Sequence, residues 1–253
     1  FNYNNNATAD DDSCDYSCYD TGEYALAFDG INDFVEIESN FQDFSNGMII
    51  KFSVKPDNNR SGHQRFIQTQ SSINPTSDWI LVGRTDIPSS FYFAVGLGNV
   101  HYQTVIPNLI ESNVWQDFMI VMDPYGNTDF YKDGVLVHES YMPVPANILR
   151  PITWLGKSDM VSDNYFKGEL DNFELYNSSI DEDMYNIADW KFNMGSGNTA
   201  IDYSGNQNHG TIYGATWAEY STCLTGEYDC MGICDGNAII DECGVCDGPG
   251  PEF

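Results

Sequence analysis

Between Tyr24 and Tyr213 the chain is a succession of short segments in which apolar and polar residues alternate, each closed by a turn signal. A period of two puts successive side chains on opposite faces, so each segment buries one face and wets the other. Met48–Lys55 shows it best: Ile50, Phe52 and Val54 fall on one side, Lys51, Ser53 and Lys55 on the other. Further strands are expected at Tyr24–Phe28, Asp33–Ile37, Gln64–Thr69, Trp79–Gly83, Phe91–Val95, His101–Ile106 and Trp115–Met122. Asp129–Tyr131, Val135–His138, Ile152–Leu155, Glu169–Tyr176, Asp189–Phe192 and Gly210–Tyr213 complete the series. Asp29-Gly30 and Lys132-Asp133-Gly134 supply turns between neighbouring strands. One helical signal stands apart: Ser179-Ile180-Asp181-Glu182 reads as a capping box that opens a short turn of helix to about Ala188. The pattern predicts an all-β fold, an antiparallel two-sheet sandwich or jelly roll.

The ends obey different rules. All seven cysteines lie there, as Cys14 and Cys18, then Cys223, Cys230, Cys234, Cys243 and Cys246. Residues 1–20 are rich in Asn and Asp, and residues 222–253 alternate Cys, Asp and Gly with almost no apolar face. Neither segment has the material for a core, so disulfides in an oxidising compartment are the natural device for holding them. Their connectivity is not readable from spacing, and zinc at Cys243-Gly-Val-Cys246 is the rival use of the same thiols. The reading is therefore three parts: a loop-like 1–20, a sandwich over 21–221, and an irregular, disulfide-rich 222–253. The chain opens with Phe1 and shows no charged-then-apolar leader, which suggests a mature or excised piece.

Against 10 Lys and Arg stand 38 Asp and Glu, a net charge of −28. Such a surface repels phosphate backbones and anionic lipid, so nucleic acid and membrane surfaces are disfavoured as partners. No apolar run is long enough to span a bilayer. Clustered carboxylates do suit calcium, which takes six to eight oxygen ligands.

Several stretches resemble the laminin-G-like, concanavalin-A-like family. Ala25-Leu26-Ala27-Phe28-Asp29-Gly30-Ile31-Asn32-Asp33-Phe34-Val35-Glu36-Ile37 is similar to its opening strand pair, and Met48–Pro56 to the strand that follows. Phe130-Tyr131-Lys132-Asp133-Gly134-Val135-Leu136-Val137 resembles its Y-x-D-G hairpin, and Phe166–Asn177 its closing strand. Trp190–Trp217, which in most members precedes the opening strands, here follows the closing one. It either adds an edge to this sandwich or begins a next module. The ends resemble Asn/Asp/Cys repeats of large secreted microbial proteins, with a flavour of thrombospondin type 3 repeats. That resemblance implies a further cysteine before Phe1, which would pair the odd seventh.

Calcium is the cofactor these residues suggest. Asp229, Asp235, Asn237, Asp241 and Asp247 offer oxygen ligands at short spacing around the Gly236 turn. A second ion is implied by the family at Asp29 and Asp171. Asn6, Asn59 and Asn177 each open a sequon and are candidate glycosylation sites. Glu169-Leu170-Asp171-Asn172-Phe173-Glu174 reads E-x-D-x-x-E, which resembles the catalytic strand of laminarinase-type glycosidases. In a regular strand, though, Glu174 points away from Glu169 and Asp171, and only a bulge would bring it round. The four histidines, His63, His101, His138 and His209, show no ligand spacing. Trp79, Tyr92 and Tyr102 are candidates for stacking on a sugar ring.

The resulting expectation is a non-catalytic extracellular or cell-surface module, structural or adhesive, such as a unit of a fibre, stalk or surface filament. Its partners would be neighbouring copies or modules of the same protein. A calcium-dependent, lectin-like module that binds glycans is the alternative, and a laminarinase-type glycosidase the third.

Overall fold

The computed structural model describes residues 24–57, 62–72, 78–178 and 184–219. Sixteen strands are found there: β1 (Tyr24–Asp29), β2 (Phe34–Phe41), β3 (Met48–Pro56), β4 (Gln64–Gln70), β5 (Trp79–Arg84), β6 (Phe91–Leu97), β7 (Val100–Ile106), β8 (Gln116–Met122), β9 (Asn127–Lys132), β10 (Val135–Tyr141), β11 (Arg150–Leu155), β12 (Lys167–Ser178), β13 (Met184–Trp190), β14 (Thr199–Ala200), β15 (Gly210–Tyr213) and β16 (Thr216–Glu219). The first sheet has the order β10-β9-β8-β3-β12-β1-β16, with β13 also beside β12. The second has the order β14-β15-β2-β11-β4-β5-β6-β7. The expected antiparallel two-sheet sandwich is the fold.

β12 is long enough to serve two neighbours on one side. Its first half pairs with β1, as Leu26 opposite Leu170, and its second half with β13, as Phe173 opposite Trp190. That pairing overrides the local helical signal: Met184–Trp190 is a strand, not the end of a helix reaching Ala188. A capping box supplies two hydrogen bonds, whereas a strand docked on β12 gains a ladder and buries Ala188 and Trp190 completely. The box itself, Ser179–Glu182, lies outside the described residues.

The segment Trp190–Trp217 completes this sandwich. β15 pairs with β2 and β16 joins β1, so one piece extends both sheets. It is held by Trp190, whose indole Nε1 donates to the Asn208 carbonyl at 2.8 Å. Asp202, also buried, accepts from the backbone N–H of Asp189, Ser204 and Asn208 at 2.9 Å each. A carboxylate that collects three amide donors offsets its own burial and fixes a turn that has no regular structure.

Phe52 of β3 sits at the centre of the core. Its ring lies 5.6 Å from Phe66, 6.5 Å from Phe91, 5.6 Å from Phe118 and 5.2 Å from Phe173, which brings both sheets onto one aromatic cluster. Two arginines also lie inside. Arg84 reaches the Gln64 amide oxygen, and Arg150 donates to the carbonyls of Gln42, Ile148 and Ala146. Burial pushes both guanidinium groups down to about 10.

Candidate binding face

In β4–β7 the inward residues Phe66, Ile67, Ile80, Val82, Phe93 and Val95 join the core. The outward ones make a second apolar patch of Trp79, Leu81, Tyr92 and Ala94. An outward patch is not expected to be buried, yet Trp79 is only 6 % and Tyr92 only 7 % exposed. The cover is the loop between β11 and β12. Gly156 turns the chain with φ 81°, and Met160 packs on the patch. Asp163 takes Arg65 in two hydrogen bonds, Nε at 2.6 Å and Nη2 at 3.3 Å. The same guanidinium stacks 4.7 Å above the Tyr92 ring. Arg65 and Asp163 are each 3 % exposed, so this is a buried ion pair clamping loop to sheet.

Beside the clamp lie two glutamines of β4. Gln68 and Gln70 alternate with the inward Thr69 and are fully buried. Gln68 Nε2 donates to Gln70 Oε1 and, at 2.7 Å, to Asp159 Oδ1. Gln68 Oε1 and Gln70 Nε2 have no partner. Buried amide atoms are almost always paired, because an orphan keeps its desolvation cost. One free acceptor and one free donor are thus left under the loop.

The aromatic wall follows from a close approach. Gly96 of β6 lies opposite Trp79, and a Cβ there would come within 2.3 Å of the indole ring. Glycine therefore lets Trp79 lie flat across the sheet, where His101 stacks on it with centroids 6.4 Å apart. Tyr92 donates its hydroxyl to Gln103 Oε1 at 3.1 Å. His101 and Gln103 are exposed and form the open rim. At the other side of the face, Trp154 Nε1 donates to Glu36 at 2.9 Å, and Lys157 Nζ lies 4.2 Å over Phe34 and 4.7 Å over Trp154. Of the three aromatics expected to meet a sugar, Trp79 and Tyr92 share this face. Tyr102 does not: it pairs with the inward Val95 and so points to the other side of its sheet.

The first sheet's outer face is built of charge. A bulge between Asp171 and Glu174, with Asn172 at φ 47°, turns Glu174 round, so Glu169, Asp171 and Glu174 lie opposite Lys55, Ser53 and Lys51. The expectation that Glu174 points away from its partners is thereby corrected: the extra residue of the bulge restores its parity. Each glutamate is nevertheless occupied, Glu169 by Lys55 at 3.0 Å and Glu174 by Lys51 at 3.2 Å. A groove of about 340 Å³ runs past Lys51, Asp117, Tyr131, Asn172 and Glu174. Asp171 is 3 % exposed and accepts from the Asn172 amide N–H at 2.8 Å. Burial, with a smaller push from Asp117, raises its carboxyl to about 7.

Asp29 and Asp171 are not brought together. Asp29 is exposed beside the β1–β2 turn opposite Lys167, four residues along β12 from Asp171, or roughly 13 Å. Asp29 instead accepts from the Ile31 N–H and sits beside Asp33, whose carboxyl burial pushes up. Among the described residues no three His, Cys, Asp or Glu side chains converge as for a metal. Asn177, one residue before the end of β12, is half-buried. Asp229, Asp235, Asn237, Asp241, Asp247, all seven cysteines, Asn6 and Asn59 lie outside the described residues. His209 Nδ1 accepts from the Asp202 N–H, and His138 packs on Phe130. Among the described residues no helix is long and apolar enough to cross a membrane.

Residues 29–184, more than half of the chain, match the concanavalin A-like lectin/glucanases superfamily in its laminin-G form, and the chain belongs to that family. A solved protein of Bacteroides ovatus assigned to carbohydrate binding is similar at 14 % identity and a TM-score of 0.57, over 78 % of this chain and 60 % of that one. The chain thus spans less than two thirds of that protein. Mouse laminin α1 domains LG4-5 match at 12 % identity, TM-score 0.48, over 66 % of this chain and 43 % of that one. The carbohydrate-binding module of a Ruminococcus gnavus sialidase, solved with α2,3-sialyllactose, matches at 11 % identity, TM-score 0.46, over 62 % and 91 %. No curated protein matches the sequence.

Proposed function

We propose that this chain is a non-catalytic, extracellular carbohydrate-binding module whose ligand takes the place of the β11–β12 loop on the outer face of the second sheet. One observation carries the reading: the unpartnered Gln68 Oε1 and Gln70 Nε2, fully buried beside the Trp79 indole. A sugar offers what that pair lacks, vicinal hydroxyls that both donate and accept, together with C–H faces that lie on an aromatic ring. The fold of carbohydrate-binding proteins among its structural relatives supports the same class. The ion pairs that occupy Glu169 and Glu174 favour binding over hydrolysis. The narrower role of a fibre, stalk or filament unit draws only on the repeat-like ends, and so does calcium at Asp229, Asp235, Asn237, Asp241 and Asp247.

The test is a glycan array followed by titration of the best ligand against the full chain, with and without EDTA. Gln70→Leu and His101→Ala should each weaken binding about tenfold or more, while Lys51→Ala on the opposite face leaves it unchanged. Binding that survives EDTA separates recognition on the sandwich from calcium in the tail. Absence of any glycan ligand, or binding indifferent to Gln70→Leu and His101→Ala, removes the proposal.

A further inference from the structure

The sheets end in strands that differ in how they discourage pairing with another chain. Natural edges are blunted by brevity, bulges, charge or proline. β14 spans two residues and β16 four, β10 carries Glu139 and a bulge between Leu136 and His138, and β13 carries Asp189. β7 has none of these devices. It runs for seven residues, pairs with β6 in unbroken register from Val100 to Ile106, and has no neighbour on its other side among the described strands. Val100, Tyr102 and Val105 are 52 %, 43 % and 41 % exposed along it.

Its charge is as unusual as its length. Residues 87–110, which hold β6 and β7, contain no Asp, Glu, Lys or Arg, in a chain with 38 acidic residues. Two copies at net charge −28 repel wherever acids meet, so a charge-free strip is where they can touch. Salt at physiological strength screens the remainder beyond about 8 Å.

We propose that β7 is the contact between two copies of this chain, which pair antiparallel about a two-fold axis and join their second sheets into one. The strand is self-complementary in that arrangement. With Gln103 on the axis, Gln103 meets Gln103, Tyr102 meets Thr104, His101 meets Val105 and Val100 meets Ile106. No pair sets acid against acid. Pairing at the edge does not cover the outer faces, so two candidate sugar sites lie side by side on one continuous sheet, each with its exposed His101 and Gln103 rim next to the other. That arrangement gives a polysaccharide two attachment points and raises avidity without new contacts to sugar. The pairing does not depend on the sugar-binding reading.

The experiment is sedimentation velocity of the full chain from about 1 to about 100 µM in physiological salt, with a non-reducing gel to detect disulfide-linked dimers. A non-covalent dimer is expected. Gln103→Glu, an exposed position, places two carboxylates on the axis and should weaken the dimer about tenfold or more; so should Gln103→Lys. Mixed together, the two variants should associate again, now as a heterodimer. Ile31→Lys in the β1–β2 turn, 65 % exposed and far from β7 in the sheet order, should leave the wild-type dimer as it is. A chain that stays monomeric at the highest concentration overturns the proposal. So does a dimer that ignores Gln103→Glu, or one that exists only as a disulfide.

Discussion

The two outer faces of this sandwich are made by the same alternation of residues and use their outward positions in opposite ways. On the first sheet Lys51, Ser53 and Lys55 meet Glu174, Asp171 and Glu169 in register, and the glutamates and lysines answer one another. On the second, amides and aromatics lie beside the single Arg65–Asp163 pair, covered by the loop from Gly156 to Phe166, and two amide atoms are left unanswered. The lesson concerns where binding capacity resides. A surface whose charges are mutually paired has little to offer a neutral ligand, because each new contact must first break an old one. A buried amide without a partner has already lost its water, and a ligand that supplies the missing hydrogen bond recovers that cost.

The comparison is most easily broken at the clamp. Removing one member of a buried ion pair leaves the other charge uncompensated and costs about 3–5 kcal/mol. Asp163→Ala should therefore destabilise the chain by that amount in urea unfolding, because Arg65 stays behind, buried, on Tyr92. A loss below about 1 kcal/mol, the range of surface pairs, would mean that the two faces are held alike.

An effect of at most similar size, spread over about three pH units, is expected at the one buried carboxyl of the charged face. Asp171 titrates near 7 in the folded chain against an ordinary 3.8, so the native state keeps a proton that the unfolded chain has lost between those values. A native state that binds more protons is favoured at low pH. Its stability should fall as pH rises from about 4 to about 7, by at most about 1.4 kcal/mol per unit, and level off above. Asp171→Asn should flatten that slope. The quantity to measure is the difference between variant and wild type at pH 4.5 and 7.5, which cancels the general repulsion of so acidic a chain. Equal slopes would show that Asp171 is ionised throughout, one more paired charge of an ordinary surface.

How much of this was legible in the sequence depends on the range of the interaction. The strand at Met48–Pro56, the Asp133-Gly134 hairpin and the closing strand follow from local alternation and turn residues, and the family resemblance rests on those same segments. The strand Met184–Trp190 was masked by a local capping signal, because the ladder that decides it lies on β12. Glu174 changed face through a bulge, which inserts a residue without altering composition; Asn172, a residue that tolerates positive φ, was the one available hint. Trp79, Tyr92 and Tyr102 were visible as aromatics but not by side, since the register across β6 and β7 sets the parity of Tyr102. Gln68 and Gln70 carry no signal of their own in the sequence. Their burial comes from a loop about ninety residues away in the chain, and no period in β4 encodes it.

The smallest expected effect tests the other half of the comparison. Lys51 and Glu174 are 37 % and 29 % exposed, and the glutamate also accepts the Tyr176 hydroxyl while Lys51 Nζ lies 4.7 Å over the Tyr176 ring. Three groups in contact make pairwise subtraction unsafe, so the measurement must be a double-mutant cycle, Lys51→Ala and Glu174→Ala singly and together. Solvent at both ends screens the charges and lets water replace whichever partner is removed. The coupling should be about 0.2–1 kcal/mol, and it should shrink when salt is raised to about 1 M, where the Debye length falls to about 3 Å. A coupling above about 2 kcal/mol that ignores salt would mark Lys51 and Glu174 as desolvated. The bulged strand would then be a prepared site in its own right, and the carboxylates of E-x-D-x-x-E would need a role that ion pairing alone does not give them.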